Sequence, residues 1–326
     1  MENILILDTS VGSQNKGDEI IMECTRRELQ FILKDNFEYT LPTHVSPFHW
    51  YQVWRNSNRL RSYADCRLKF VGGSNILVKN LLTHYPQWNI NLFNYQPLKG
   101  CILVGVGAGV GEKSNAYTRY IYRHMLNRDY YHSVRDERSR KYVESLGLKA
   151  INTGCVTMWK LTPEFCRTIP TKKSSRVVFT VTASHSKEAI ERDKNILSVL
   201  RNNYDEIYFW PQGIDDMNHL SDIDDLSGIH VLQASKQAYN EYLTDNGTDY
   251  VGSRLHGGVY AMRHGRRAII IAIDERAREI NNVNHLNCVD IARFDELESM
   301  IQSEFATSVR MDYDAINKWK EQFVTK

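Results

Sequence analysis

The chain has 326 residues, 42% of them hydrophobic and 25% charged, which is enough for two soluble globular domains. Its 41 basic and 39 acidic side chains leave a net charge of +2, so no global field selects nucleic acid and any anion preference must come from local clusters. The six cysteines (Cys24, Cys66, Cys101, Cys155, Cys166, Cys288) are scattered and form no CxxC pair, which argues against a zinc site and a disulfide framework and fits a reducing cytoplasm.

The chain opens directly on an apolar strand, Ile4-Leu5-Ile6-Leu7, with no basic leader, and no apolar run reaches the roughly 18 residues of a spanning helix. The expectation is a protein that is neither exported nor membrane-spanning. From there, short apolar runs alternate with helical patterns, the rhythm of βαβ units and parallel sheets. Strands are predicted at 3–8, 68–71, 101–106 and 131–134, with helices at 18–33, 115–126 and 136–146, the last closed by Gly147. A polar stretch from Thr162-Pro163 through Ser175 reads as a linker. The rhythm then restarts, with strands at 177–181, 206–210, 229–232 and 267–273 and helices at 187–200 and 236–243. The predicted class is α/β, with two doubly wound, Rossmann-like domains facing a cleft. Their expected bounds are 1–165 and 172–310, followed by a C-terminal helix over 311–326 with the option of packing back on the N-terminal domain.

The most informative stretch is Gly252-Ser253-Arg254-Leu255-His256-Gly257-Gly258, between a strand ending in Asp249-Tyr250-Val251 and a helix running on to His264. At the carboxyl end of a parallel strand, the next helix offers free N–H groups and a positive dipole end to an anion. Arg254 adds a fork for carboxylate or phosphate, and His256 can move a proton. The structural alternative has Arg254 in an ion pair, His256 capping the helix and the glycines making the turn. The polar loop 9–19 opens into a helix and can present backbone N–H groups, with Asn15 or Asp18 turned to hydroxyls; Asp18 is alternatively the helix N-cap. Gly72-Gly73 lets another group approach the backbone, for a ligand or a tight turn. In Ser133-Val134-Arg135-Asp136-Glu137-Arg138-Ser139, Arg135 projects from a strand end, and pairing with Asp136 or Glu137 is the weaker reading because adjacent residues on a turn seldom pair well. Ser184 and Gln212 also follow strands and are candidates to line the cleft.

Several patterns are rejected. The run from Gly105 to Gly111 fails GxGxxG in both registers, with Val110 or Glu112 at the third glycine, and no P-loop, GxSxG or HExxH occurs. Asp222-Ile223-Asp224 resembles the DxD triad of some glycosyltransferases but lies in an acidic loop that reads as solvated surface, so no metal is expected. The clusters Arg135, Arg138, Arg140, Lys141 and Arg263, Arg266, Arg267 read as solvated helix faces. Phe48, Trp50, Tyr51 and Trp54 beside Arg55, Arg59 and Arg61 read as a substrate loop or core, with peripheral membrane contact left open.

Taken in order, Asn15-Lys16-Gly17-Asp18-Glu19, Gly72-Gly73, the Ser133–Ser139 run, Trp210-Pro211-Gln212 and Arg254-Leu255-His256-Gly257 resemble the polysaccharide pyruvyl transferase family, from about residue 3 to about residue 280. The resemblance implies a GT-B-like architecture, with the acceptor on the N-terminal domain and the donor on the C-terminal one. It implies transfer of a pyruvyl group from phosphoenolpyruvate to a sugar of a cell-surface polysaccharide or its precursor, as a ketal, with phosphoenolpyruvate as donor substrate and no cofactor. It carries Arg135, Arg254, His256 and Gly257 to the phosphoenolpyruvate. Arg276, in Ile273-Asp274-Glu275-Arg276, stands where the family has the lysine of Tyr-Asp-x-Lys, keeping the charge and changing the geometry. On this reading His256 protonates the methylene carbon and Asp18 takes the hydroxyl proton, while Asn15, Gly17, Gly72, Gly73, Ser184 and Gln212 serve the cleft and acceptor. Trp50, Trp54 and Trp88 suit stacking on an acceptor sugar, or are core. The expected partners are phosphoenolpyruvate and a sugar or lipid-linked glycan, with no nucleic acid. The expected place is the cytoplasm, with the inner face of the membrane as an option. Two competing readings are a GT-B-type glycosyltransferase using a nucleotide sugar and a non-catalytic glycan- or anion-binding relative.

Overall fold

The computed structural model describes every residue except 56, 84–86, 110–112, 224–225, 246 and 325–326, and the side chains of 57, 59 and 276 also lie outside the described set. The chain forms two compact units, one of Met1–Ser13, Ile21–Trp159 and Asp312–Lys326, the other of Gln14–Ile20 and Lys160–Met311. Each is built on an all-parallel sheet, and the α/β, doubly wound class expected from the sequence holds.

In chain order the first unit carries β1 (Asn3–Asp8), α1 (Lys16–Glu28), α2 (Gln30–Leu33), β2 (Phe37–Pro42), α3 (Trp50–Arg55), α4 (Ser57–Ala64), β3 (Leu68–Gly72), β4 (Cys101–Val104), α5 (Ala116–Met125), β5 (His132–Val134), α6 (Glu137–Ser145) and β6 (Ala150–Asn152). The first turn of α1, through Ile20, groups with the second unit. The strand order is β2-β1-β3-β4, and the paired β5 and β6 join it through a parallel bridge between Val106 and Val134. Ile4 to Leu7 are wholly buried, which is why β1 reads as an unbroken apolar run rather than an alternating one. The strand expected over 101–106 stops at Val104, because Gly105 takes a φ of +63°. The helix expected over 18–33 is two helices, parted at Leu29. Asp136 caps α6 by accepting from Ser139 N at 2.7 Å, and Gly147 follows that helix at φ +77°.

The second unit carries α7 (Pro163–Cys166), β7 (Arg176–Thr180), α8 (Lys187–Asn203), β8 (Glu206–Phe209), α9 (Asp216–Ile223), β9 (Ile229–Val231), α10 (Lys236–Asp245), β10 (Asp249–Gly252), α11 (Leu255–Arg263), β11 (Ala268–Ala272), α12 (Glu275–Asn284), β12 (Cys288–Asp290) and α13 (Glu296–Gln302). The stretch read as a linker therefore contains a helical turn, capped by Thr162 with Pro163 at its first position. The sheet order is β12-β11-β10-β7-β8-β9, so the chain leaves β7 in one direction and returns to its other side at β10. In doubly wound sheets, ligands bind beyond the carboxyl ends of the strands at such a reversal. The last helix, α14 (Tyr313–Glu321), belongs to the first unit. There Trp319 is fully buried, meets Phe70 and Trp159 edge-on, and donates from Nε1 to Tyr131 O at 2.8 Å.

Candidate functional site

In the second unit, the loops that follow β7, β8 and β10 carry Ser184, Gln212 and Arg254, and α11 carries His256 and Gly257. Arg254 follows β10 at the N-cap of α11, and its own side chain does not cap that helix. Its guanidinium is fixed from two sides, by Nε donating to Val181 O at 2.9 Å and by an ion pair of Nη2 with Asp216 Oδ1. The Arg254 side chain keeps 17% of its surface exposed, whereas Asp216 keeps none. The backbone is held as firmly, since Tyr250 OH donates to Arg254 O at 2.7 Å and shares a 2.6 Å bond with Thr180 Oγ1. Burial pushes the Tyr250 phenol well above the usual tyrosine range, so it stays protonated as that donor.

Asp216 is the residue that sequence reasoning missed. Its carboxylate gathers four donors: Gln212 N at 3.1 Å and Gly213 N at 2.7 Å on Oδ2, and Ala183 N at 3.4 Å with Arg254 on Oδ1. It thus ties the loop after β8 and the loop after β7 to the arginine after β10. The only signal in the sequence was its position a few residues past a strand, within an acidic run that resembles surface.

His256 is nearly buried on the first turn of α11, as are Gln212 and Asp18 in their own places. Gln212 donates from Nε2 to Asn15 Oδ1 at 2.9 Å, and its carbonyl accepts from Lys16 N at 2.8 Å. A methyl group on Gly17 would lie 2.9 Å from Gln212 Nε2 and 3.5 Å from His256 Nδ1. A methyl on Gly257 would lie 2.9 Å from Gln212 Oε1 and 3.2 Å from Tyr250 OH. The structure therefore brings Asn15, Gly17, Gln212, His256 and Gly257 together, and the two glycines are there because nothing larger fits. Gln212 Oε1 is buried and has no hydrogen-bond partner among the described residues. Asp18 is not the N-cap. α1 begins at Lys16, and Asn15 Oδ1 accepts from Gly17 N at 2.9 Å, which leaves Asp18 in the first helical turn, where a carboxylate suits the dipole. Ser184 is half-buried, and its hydroxyl accepts from Ser186 N at 3.4 Å.

In the first unit, Arg135 follows β5 and lies against Asn75, whose Oδ1 accepts from Nη2, and against Asp136 at 3.6 Å. The pairing with Asp136 that sequence reasoning discounted is thus present, though long. A methyl on Gly107 would meet the Arg135 guanidinium at 2.5 Å, so that glycine makes room for it. Gly72 and Gly73 do similar service for α1: a methyl on either would run into Met22 or Ile21, and Gly73 has a φ of +40°. Their role in the structure is close packing.

Arg267 is not on a solvated face but fully buried, bonded to Asp249 at 2.7 Å and to the carbonyls of Met300, Ile301 and Ser303. Arg140 is occupied by Glu137 and Glu144 on its own helix. Trp88 and Phe48 are core, whereas Trp50, Tyr51 and Trp54 are exposed. Arg276 lies on α12 with its side chain outside the described set, as do Asp224 and residues 110–112 entirely. Among the described residues, no three His, Cys, Asp or Glu side chains are gathered as a metal ion would need. No helix among them is long and apolar enough to cross a membrane.

Two Rossmann-like units with the arginine and histidine beyond the reversal of the second sheet define an α/β protein of GT-B-like architecture. Solved structures agree. A UDP-GlcNAc 2-epimerase from Neisseria meningitidis, bound to UDP-GlcNAc, is similar over 100% of both chains with a TM-score of 0.53 and 11% identity. MnaA of S. aureus, solved with UDP, is similar over 99% of this chain and 97% of its own, with a TM-score of 0.54 and 10% identity. No curated protein matches in sequence. The family model for polysaccharide pyruvyl transferase matches residues 15–275, and the chain belongs to that family of transferases.

Proposed function

We propose that this protein transfers the pyruvyl group of phosphoenolpyruvate onto a sugar of a cell-surface polysaccharide or its precursor, forming a ketal. The observation that carries the reading is Arg254, fixed by Asp216 and Val181 at the N-terminus of α11, with His256 one residue beyond Leu255. A dianionic phosphate and a carboxylate suit a fixed guanidinium and a row of helix N–H groups. On this reading His256 gives a proton to the methylene carbon while a sugar hydroxyl attacks the adjacent carbon. A second hydroxyl then replaces phosphate, which leaves carrying that hydroxyl's proton, and the methylene has become the ketal methyl. Asp18 takes a hydroxyl proton. Gln212 Oε1, buried without a partner among the described residues, suits a hydroxyl donor on the acceptor, a sugar or lipid-linked glycan met at the inner face of the membrane.

The test is His256→Ala. Phosphate release in the presence of acceptor should fall about a hundred- to ten-thousand-fold, while calorimetric binding of phosphoenolpyruvate is largely retained. Normal turnover removes His256 as the acid. The alternative of a glycosyltransferase is decided by thermal shift: stabilisation by a nucleotide sugar and not by phosphoenolpyruvate overturns the proposal.

A further inference from the structure

The first unit presents an apolar face that no core requires. α3 buries none of its residues, and Trp50, Tyr51 and Trp54 are 65%, 45% and 76% exposed. Positions i, i+1 and i+4 of a helix share one stripe, so the three rings stand together. The helix is nevertheless seated, because Phe48 belongs to the core and Val53 packs against it.

A second element adds to this face. Leu92 and Phe93 are exposed at the tip of a turn that is tied down at every side. Phe93 N donates to Asn91 Oδ1 at 2.9 Å, Leu92 N to the Tyr117 hydroxyl at 3.2 Å, and Asn91 N to Asn94 Oδ1 at 2.8 Å. Asn94, itself 1% exposed, donates from Nδ2 to Ser46 Oγ at 3.2 Å, in the segment that leads into α3. Val45, beside that serine, is 46% exposed. The tip is therefore an anchored apolar wedge, joined by a buried asparagine to the approach of the aromatic helix. Residues 44–64 carry Arg55, Arg59 and Arg61 and no acidic residue, and 87–100 carry Lys99 and none.

We propose that this face docks the protein on an anionic phospholipid surface, with Trp50, Tyr51, Trp54, Leu92 and Phe93 entering the headgroup boundary and Arg55 and Arg61, both exposed, meeting the anionic headgroups. Aromatic rings flanked by arginine are the composition of interfacial helices. A glycan would also stack on tryptophan, but the aliphatic Leu92 and Val45 add nothing to sugar binding, and no acidic side chain stands in these stretches to accept sugar hydroxyls. The proposal extends the reading of an acceptor at the membrane, but vesicle binding is measured apart from turnover, so either can fail alone.

The experiment is cosedimentation of the full chain with vesicles of phosphatidylcholine, with and without about one-third phosphatidylglycerol. Pelleting with the anionic vesicles, weakened by salt, is expected. Trp50→Ser with Trp54→Ser, and separately Phe93→Ser, should each lower the vesicle partition coefficient about tenfold or more. Val283→Ser, at an apolar residue 61% exposed elsewhere, should not change it. The substituted side chains are exposed, so unchanged thermal midpoints are expected and verify the fold. Absence of pelleting, or equal pelleting by the variants, overturns the proposal. So does a rise in acceptor KM with vesicle binding intact, which would assign the face to a glycan.

Discussion

Replacing Asp216 by asparagine isolates one charge at nearly constant shape. The carboxylate has two acceptor oxygens, and each receives two donors: the backbone N–H groups of Gln212 and Gly213 on one, Arg254 and the N–H of Ala183 on the other. An amide has only one acceptor oxygen. Whichever way it turns, its NH2 group faces either two backbone donors or a guanidinium. A buried donor left unpaired costs about 1–3 kcal/mol, and a buried ion pair broken from one side about 3–5 kcal/mol. With Asp216 fully buried and Arg254 mostly so, about 3–5 kcal/mol is expected, a fall in thermal midpoint of roughly 6–15 °C. If the amide keeps the backbone donors and turns its nitrogen to Arg254, the arginine loses its fixed position. Phosphoenolpyruvate affinity then falls about tenfold or more, at 1.4 kcal/mol per decade. Differential scanning fluorimetry and calorimetric titration measure the two effects. An Asp216→Asn protein with the parent midpoint and donor affinity would refute the claim that this carboxylate holds the arginine.

Gly17→Ala should separate site from stability. The new methyl meets the ends of two side chains, Gln212 Nε2 at 2.9 Å and Asn15 Oδ1 at 3.0 Å, so the fold should lose no more than about 2 kcal/mol. Turnover should fall about tenfold or more, and unchanged phosphate release refutes the placement of His256 and Gln212 against that helix start. His132 predicts a pH dependence: burial lowers its pKa to about 4, with Nδ1 accepting from Leu103 N and Nε2 donating to Asn127 O. The unfolded chain, with histidine near 6.5, binds the extra proton first, so stability is present above pH 6.5 and lost on descending to pH 4. The slope is about 1.4 kcal/mol per pH unit, about 3 kcal/mol in all. Urea unfolding across that window measures it, and His132→Gln should flatten it; an equal slope in that variant refutes the assignment.

The interior of the fold was legible where burial on both faces leaves continuous apolar runs. β1 runs over 3–8 as expected, and the helix starts at Asn115 and Asp136 follow from their side-chain caps. The strands not anticipated lie at sheet edges. β2 is half-exposed, and β6 and β12 have three residues each, too short for a period to show. At the candidate site, Arg254, His256 and Gln212 stood out because turn chemistry after a strand is local. Asp216 did not, because its meaning comes from residues on three separate loops. The exposed rings of α3 were equally illegible, since Trp50 and Trp88 look alike in sequence and end up on opposite sides of burial.

The strand order of the second unit also bears on how the arginine comes into being as it folds. β7 pairs with β10 from Asp249 opposite Val177 to Gly252 opposite Thr180, and between them lies the whole of β8, β9 and their helices. That pairing closes the longest loop among the strand pairs of the sheet, and chain entropy makes such a closure slow. Until it closes, Thr180 has not met Tyr250, and Val181 has not met Arg254. Nascent or partly opened chains are thus expected to hold β7 paired with β8 before Arg254 is fixed in place. Hydrogen exchange that follows the amide of Arg254 would time the birth of the site separately from that of the sheet.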